Sequence, residues 1–253
     1  MSSILSEGKR YVREIRRYGF FWALNFAIRI HLYPPIMSAY LRPRSPEELV
    51  HLGTGYGGWW IPASVLRPGA VAYCAGAGED ISFDIALHER GLRVVTIDPT
   101  PRAVAHVTAV APESDRFTFV QVGLWDEAGE MRFYVPRDPL SDNYSIVNLQ
   151  RSSEYVTAEV TPLKALLEEL GDATIDILKL DIEGSEHRVI KSFLDSGIRP
   201  RVVCIEFDQP VRMRLLTESI RRLQRSGYQL ARIDVWNYTF ISVGDRQAVT
   251  DED

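Results

Sequence analysis

The sequence predicts an α/β fold in which a mostly parallel sheet is covered by helices on both faces. Three observations carry this. Short apolar runs of strand length alternate along the chain with stretches of helical period. A glycine turn, Ala75-Gly76-Ala77-Gly78-Glu79-Asp80, joins the first of these runs to a helix. An acid, Asp98, ends the next strand about twenty residues on, which is the layout of a nucleotide-binding crevice.

The elements follow in order. Residues 7–40 read as an amphipathic helical segment in which Tyr11, Ile15, Tyr18, Trp22 and Phe26 recur every three or four positions. Its most apolar part, residues 19–28, contains Asn25, is closed by Arg29 and falls short of the ~20 residues that span a bilayer. No small-residue cleavage site follows, so a signal peptide is not expected. Packing on its own domain or on a second subunit is favoured over contact with a membrane surface. The expected division is a basic helical segment and linker over residues 1–50 and one α/β domain over 51–253.

Charge supports that division. The 253 residues are 45% hydrophobic and 25% charged with a net charge of −5, which excludes nucleic-acid binding by the chain as a whole. Residues 1–45 hold eight Lys and Arg against Glu7 and Glu14, a net +6 that leaves −11 for the rest. Cys74 and Cys204 sit in apolar runs and read as small core residues of a reducing, cytoplasmic compartment, the membrane surface being a second location. No Cys/His spacing points to zinc.

Residues 51–62 (HLGTGYGGWWIP) read as a glycine-rich loop that either covers a ligand or closes the core edge with Trp59 and Trp60. Seven strands are expected at 71–74, 93–97, 117–122, 175–180, 201–207, 228–233 and 238–243. Helices are expected at 81–90, 102–110, 162–170, 187–195 and 212–226. Short strands at 131–135 and 155–160 bracket a polar, irregular segment, 136–153, whose length marks it as a source of substrate specificity. In an open parallel sheet ligands bind at the carboxyl ends of strands, which places Gly123 and its neighbour Leu124 near a bound base.

The glycine turn also says what kind of ligand to expect. A pyrophosphate binds a helix N-terminus through backbone N–H groups and the positive end of the dipole. Here Glu79 and Asp80 occupy that end. They suit the helix, at about 0.3–1 kcal/mol each, and repel a diphosphate. A ligand with adenosine, a positive centre and no phosphate is tolerated, and S-adenosylmethionine is such a ligand. Asp80 also reads as a plain helix cap.

The strongest motif is residues 177–186, ILKLDIEGSE, in which an apolar strand delivers Asp181 to its carboxyl end with Glu183 and Glu186 just beyond. Here the sequence resembles the FkbM family of S-adenosylmethionine-dependent methyltransferases, whose signature Leu-Lys-apolar-Asp-apolar-Glu-Gly-small-Glu is matched from Leu178 to Glu186. The resemblance extends over roughly residues 52–243 by eye. It departs at Cys74, where such enzymes often carry an acid, and at Asp80, where their later glycine falls.

The resemblance implies a Rossmann-like class I methyltransferase fold with seven strands, six parallel and the last antiparallel. It implies S-adenosyl-L-methionine as cofactor, with contacts from Tyr73, Gly76, Ala77, Gly78, Glu79, Asp80, Asp98, Pro99, Gly123, Leu124 and Asp181. Methyl transfer to a hydroxyl needs a base, and Asp181 and Glu183 are the candidates, with His187 third. Asp98 is expected to accept from ribose hydroxyls. Lys179 is expected in the helix layer or paired with an acid. A magnesium site at Asp181, Glu206 and Asp208 is conceivable, and no metal is assigned. The acceptor implied is a saccharide, lipid-linked saccharide or secondary-metabolite hydroxyl, with membrane or homodimer contact through residues 7–40. Rival readings are a catalytically silent scaffold and a nicotinamide-dependent oxidoreductase.

Overall fold

The computed structural model describes residues 31–135, 144, 146, 152–207 and 213–244. Expectations for residues 1–30, for most of segment 136–153, for Asp208 and for the acidic tail fall outside these residues.

Four short, almost unbroken apolar runs make the middle of the main sheet: β3 (Val71–Ala75), β4 (Arg93–Ile97), β9 (Ile177–Leu180) and β10 (Val202–Glu206). Continuous apolar sequence is what a strand covered on both faces requires. β5 (Phe117–Val120), β11 (Tyr228–Asp234) and β12 (Asn237–Ser242) complete the sheet in the order β11-β12-β10-β9-β3-β4-β5. β12 runs antiparallel to both β10 and β11, while β9, β10, β3, β4 and β5 pair in parallel. The expected six-plus-one sheet is therefore present, and the strand order reverses between β3 and β9.

Side chains alternate across the sheet, and each face has its own core. On one side Tyr73, Val95, Leu178, Val203 and Phe240 pack beneath α4 (Leu163–Leu170), α5 (Glu186–Asp195) and α6 (Met213–Arg225). α1 (Tyr33–Leu41) joins this side through Met37, which is fully buried. On the other side Ala72, Cys74, Ile177 and Cys204 pack against Trp59, Ile61, Phe83 and Leu87. α2 (Ser82–Glu89) and α3 (Pro101–Val110) lie on that face, around Ile81, Ala103 and Val107. Each fully buried side chain of this size contributes about 1.5–3 kcal/mol.

The loop expected over residues 51–62 is a correction. It is a hairpin, β1 (Leu49–Leu52) and β2 (Trp59–Pro62), paired antiparallel. Trp59 fills the second core, as one of the two readings had it. Trp60 clamps the hairpin to β11: its indole N–H donates to Asp234 at 2.8 Å and the Arg232 guanidinium lies 3.9 Å above its ring. A further small sheet, ordered β6-β8-β7, contains β6 (Gly123–Leu124), β7 (Gly129–Tyr134) and β8 (Tyr155–Thr161).

The hairpin tip is latched to the start of α2. Thr54 N–H donates to Ser82 Oγ at 2.9 Å, and Thr54 Oγ1 donates to the Asp80 carboxylate, which also accepts from Ser82 N–H at 2.8 Å. Burial alone would raise the Asp80 pKa, but the donors Ser82, Thr54 and Gly57 outweigh it and hold the carboxyl below its ordinary value. A carboxyl with a lower pKa folded than unfolded adds stability above its unfolded pKa and loses it as pH falls through the folded one. Asp80→Asn should therefore melt at a lower temperature than wild type at neutral pH, and thermal melts should show that gap closing as pH drops below about 4.

Candidate active site

A cavity of about 490 Å³ runs along the carboxyl ends of the strands. It extends from the Val122–Leu124 region beyond β5, across the glycine turn, to the turn between β11 and β12. Its size lies within the ~300–1,000 Å³ usual for small-ligand sites, and it sits at the topological switch point of the sheet.

At its centre the glycine turn has no room for a side chain. Gly76 has φ +86°, and a Cβ there would lie 1.7 Å from the Asp181 carbonyl oxygen. Its N–H donates to the Ile97 carbonyl at 2.9 Å, and its own carbonyl accepts from Lys179 Nζ. Lys179 is buried in the middle of β9 and forms an ion pair with Asp181 at 3.5 Å. Burial alone would lower the Lys179 pKa, but Asp181, Asp84, Cys74 and Glu206 outweigh it and keep the ammonium charged.

Asp98 is 8% exposed and fixes the same turn from the side of β4. One oxygen accepts from the N–H groups of Ala77 (2.9 Å) and Gly78 (3.2 Å). The other accepts from Thr100 N–H (2.8 Å) and Thr100 Oγ1 (2.7 Å). A carboxylate offers roughly four acceptor sites, so protein donors already fill those of Asp98.

Beyond β9 the chain turns through Glu183, a non-glycine residue at φ +53°, and Gly184 at φ +97°. Glu186 is buried and holds this turn, accepting from Ile182 N–H (3.0 Å) and Gly184 N–H (3.2 Å). Ser185, at the N-cap of α5, is also buried, and its hydroxyl has no partner among the described residues. Trp236 Nε1 is likewise buried and without a partner among the described residues. Both residues line the cavity.

Gly76, Ala77, Gly78, Glu79, Asp80, Asp98, Pro99, Gly123, Leu124, Asp181 and Glu183 all line it too. Tyr73 does not. It shares the sheet face of Ala75, which does line the cavity, but lies two residues back from the carboxyl end of β3, and its ring runs the other way, to Asp172 ahead of β9, where its hydroxyl donates at 2.7 Å and burial pushes its pKa up. His187 also lies elsewhere, stacked 5.3 Å from Phe207 with Nδ1 2.7 Å from Ser219 Oγ. Burial pulls its pKa down to about 4, so it is neutral at physiological pH. Sequence reasoning missed the cavity roles of Ser185, Trp236 and Asp234. The turn at 234–237 was legible in principle, because an antiparallel last strand must begin at the carboxyl edge.

Among the described lining residues, Glu79, Asp80, Asp98, Asp181, Glu183, Glu206 and Asp234 are acids and Lys179 is the only Lys or Arg. This lining suits a ligand bearing positive charge and opposes a phosphate. S-adenosylmethionine, with a sulfonium and an ammonium and no phosphate, fits that donor and charge set. No group of three or more His, Cys, Asp or Glu among the described residues is placed to hold a metal ion.

The family model described as methyltransferase FkbM domain matches residues 71–230, more than half of the chain. Among solved structures, the fibrillarin pre-rRNA processing protein of Methanococcus jannaschii is 10% identical, with 78% of this chain and 83% of that one covered at a TM-score of 0.43. Precorrin-6y C5,15-methyltransferase of Geobacter metallireducens is 14% identical, covering 71% and 84% at 0.41. Ribosomal protein L11 methylase of Lactobacillus delbrueckii is 15% identical, covering 71% and 72% at 0.39. No curated protein matches the chain. With the signature strand, the glycine turn and the acid-lined cavity on one sheet edge, the chain belongs to the FkbM methyltransferase family and is an S-adenosylmethionine-dependent methyltransferase of Rossmann-like class I fold.

Proposed function

We propose that the enzyme methylates a hydroxyl of a small-molecule or saccharide acceptor, glycolipids included. The observation that carries this reading is the pair of carboxylates, Asp181 and Glu183, at the carboxyl end of β9, both lining the cavity. An alcohol is a poor nucleophile until its proton leaves, and a positioned carboxylate contributes about 10²–10⁴-fold by taking it.

In this reading the cavity has two ends. The backbone of Gly76 to Gly78, with Glu79, Pro99, Gly123 and Leu124, holds the cofactor. Asp80 and Asp98 act behind them, fixing the hairpin tip and the glycine turn. When bound, S-adenosylmethionine supplies an electrophilic methyl group on a positively charged sulfur. Asp181 stands where the two ends meet, oriented by Lys179, and accepts the hydroxyl proton, with Glu183 beside it. Glu206, Asp234 and Asn237 border the acceptor end, together with Ser185 and Trp236. Fixing acceptor and methyl in line supplies the larger share of the acceleration.

Calorimetry with S-adenosylhomocysteine should show binding and NAD none, because the acids oppose a diphosphate. Gly76→Ala should abolish the first signal, since the added methyl collides with backbone at Asp181.

Labelled methyl transfer into fractionated cell extract identifies the acceptor class. Label in an alkali-stable ether on a saccharide or alcohol is expected; label in an ester or on nitrogen would overturn the proposal.

Asp181→Asn should cut transfer about 10²–10⁴-fold with far less change in S-adenosylhomocysteine affinity, whereas Asp142→Asn should stay near wild type. Equal mild losses would remove Asp181 from the role of base, and a loss confined to cofactor affinity would reassign it to cofactor binding.

A further inference from the structure

α1 has the sequence YPPIMSAYL and carries no charged residue. Its inward line, Tyr33, Met37 and Leu41, packs on the main core. A second line, Leu32, Ile36 and Tyr40, is spaced at i, i+4 and i+8 and faces outward, 54%, 61% and 62% exposed. A surface helix normally turns a polar face to water. This one turns apolar side chains both ways.

The outward line does not stand alone. Tyr33 Oη lies 3.1 Å from Met213 Sδ at the start of α6, where Met213 and Leu215 are exposed as well. That contact sets exposed Met213 beside α1, adding to the apolar line. Cations rim it: Arg42 and Arg44 follow α1 and Arg214 lies between Met213 and Leu215, all exposed. The chain from residue 1 to 45 carries eight Lys and Arg against two acids, although the rest of the protein is net acidic.

The face also has a place in the architecture. α1 runs beside the edge strand β11, where Arg44 N–H donates to the Leu230 carbonyl at 2.9 Å. Met213, beside the N-terminal end of α1, opens the helix that follows β10, so it lies toward the sheet edge that holds the cavity.

We infer that this face docks on an anionic lipid surface, with Leu32, Ile36, Tyr40 and Met213 entering the headgroup boundary and the arginines meeting lipid charge. Apolar area with a cationic rim is what an interfacial helix needs, and an acidic partner protein would use the charge but leave the apolar line without purpose. Tyrosine at the end of the line suits the interface, where an apolar ring and a polar tip are both accommodated. The docked enzyme presents its cavity edge beside the bilayer. This inference stands whether or not the acceptor is the one proposed above.

The test is flotation of the full chain with vesicles of phosphatidylcholine containing phosphatidylglycerol, and with phosphatidylcholine alone. Wild type should float with the anionic vesicles and much less with the neutral ones. Ile36→Asp with Tyr40→Asp should lower partitioning by about tenfold or more, and Arg42→Glu with Arg44→Glu should do the same in a salt-sensitive way. Unchanged melting temperature and S-adenosylhomocysteine affinity would show that both variants stay folded. No flotation of wild type, or flotation indifferent to the stripe substitutions, overturns the inference. So does a concentration-dependent dimer in sedimentation that Ile36→Asp dissociates, because the face would then belong to a second copy.

Discussion

One buried ammonium organises the catalytic edge. Lys179 is paired in register with Cys204 of β10 on one side and Cys74 of β3 on the other, and Thr239 and Thr96 extend the same row outward. Small side chains on both flanks leave room for a lysine within a sheet face that is otherwise apolar. Its Nζ then ties the Gly76 carbonyl to the Asp181 carboxylate. A buried charge without partners costs several kcal/mol, so the acids around Lys179 are a condition of the fold as much as of the chemistry. Burial pushes the Asp84 pKa up, Lys179 and Thr96 oppose it, and Thr96 Oγ1 donates to its carboxylate at 2.6 Å.

The acids at the cavity divide into those that hold backbone and those that face open space. Asp80, Asp98 and Glu186 accept backbone N–H groups and fix, in turn, the start of α2, the glycine turn and the turn after β9. Buried donors of this kind must be paired somewhere, and carboxylates make strong acceptors for them. Three turns at one sheet edge are thus rigid before any ligand arrives. Preorganisation of this kind lowers the ordering cost of binding. Asp80 and Asp98 also add negative charge to the cavity lining, so residues that stabilise the loops also bias it toward positive ligands.

Much of the fold was legible because buried parallel strands are written as unbroken apolar runs, and VAYCA, RVVTI, ILKL and VVCIE admit few other readings. The β1–β2 hairpin was not legible, since the glycines of HLGTGYGGWWIP mask a strand pair whose alternation shows only at Leu52, Trp59 and Ile61. Gly76 and Asp181 were readable from their places at strand ends, and the structure brings them together. Roles were harder to read. Asp98 and Asp80 stand where ligand contacts were expected, yet their partners are N–H and O–H groups supplied by local turns and by a hairpin tip nearly thirty residues away. Residue type cannot show how many acceptor sites are filled. Tyr73 was misplaced for a simpler reason: it shares the face of Ala75 but sits too far from the carboxyl end of β3 to reach the cavity.

Cys74 is one of the two positions where the sequence departs from the pattern it resembles, and its surroundings suit a thiol. An acid at the end of β3 would stand beside both Asp84 and Lys179. Asp84 of α2 already stands buried beside that row, bonded to Thr96, and Asp181 pairs with the ammonium. A second carboxylate at Cys74 would crowd the buried Asp84, and like charges there drive protonation. The thiol is fully buried and its pKa is raised well above the ordinary value by burial, then by Asp84, so it remains neutral. It works as a small, neutral side chain between Lys179 and Thr96, on the face where Asp84 takes its hydrogen bond from Thr96.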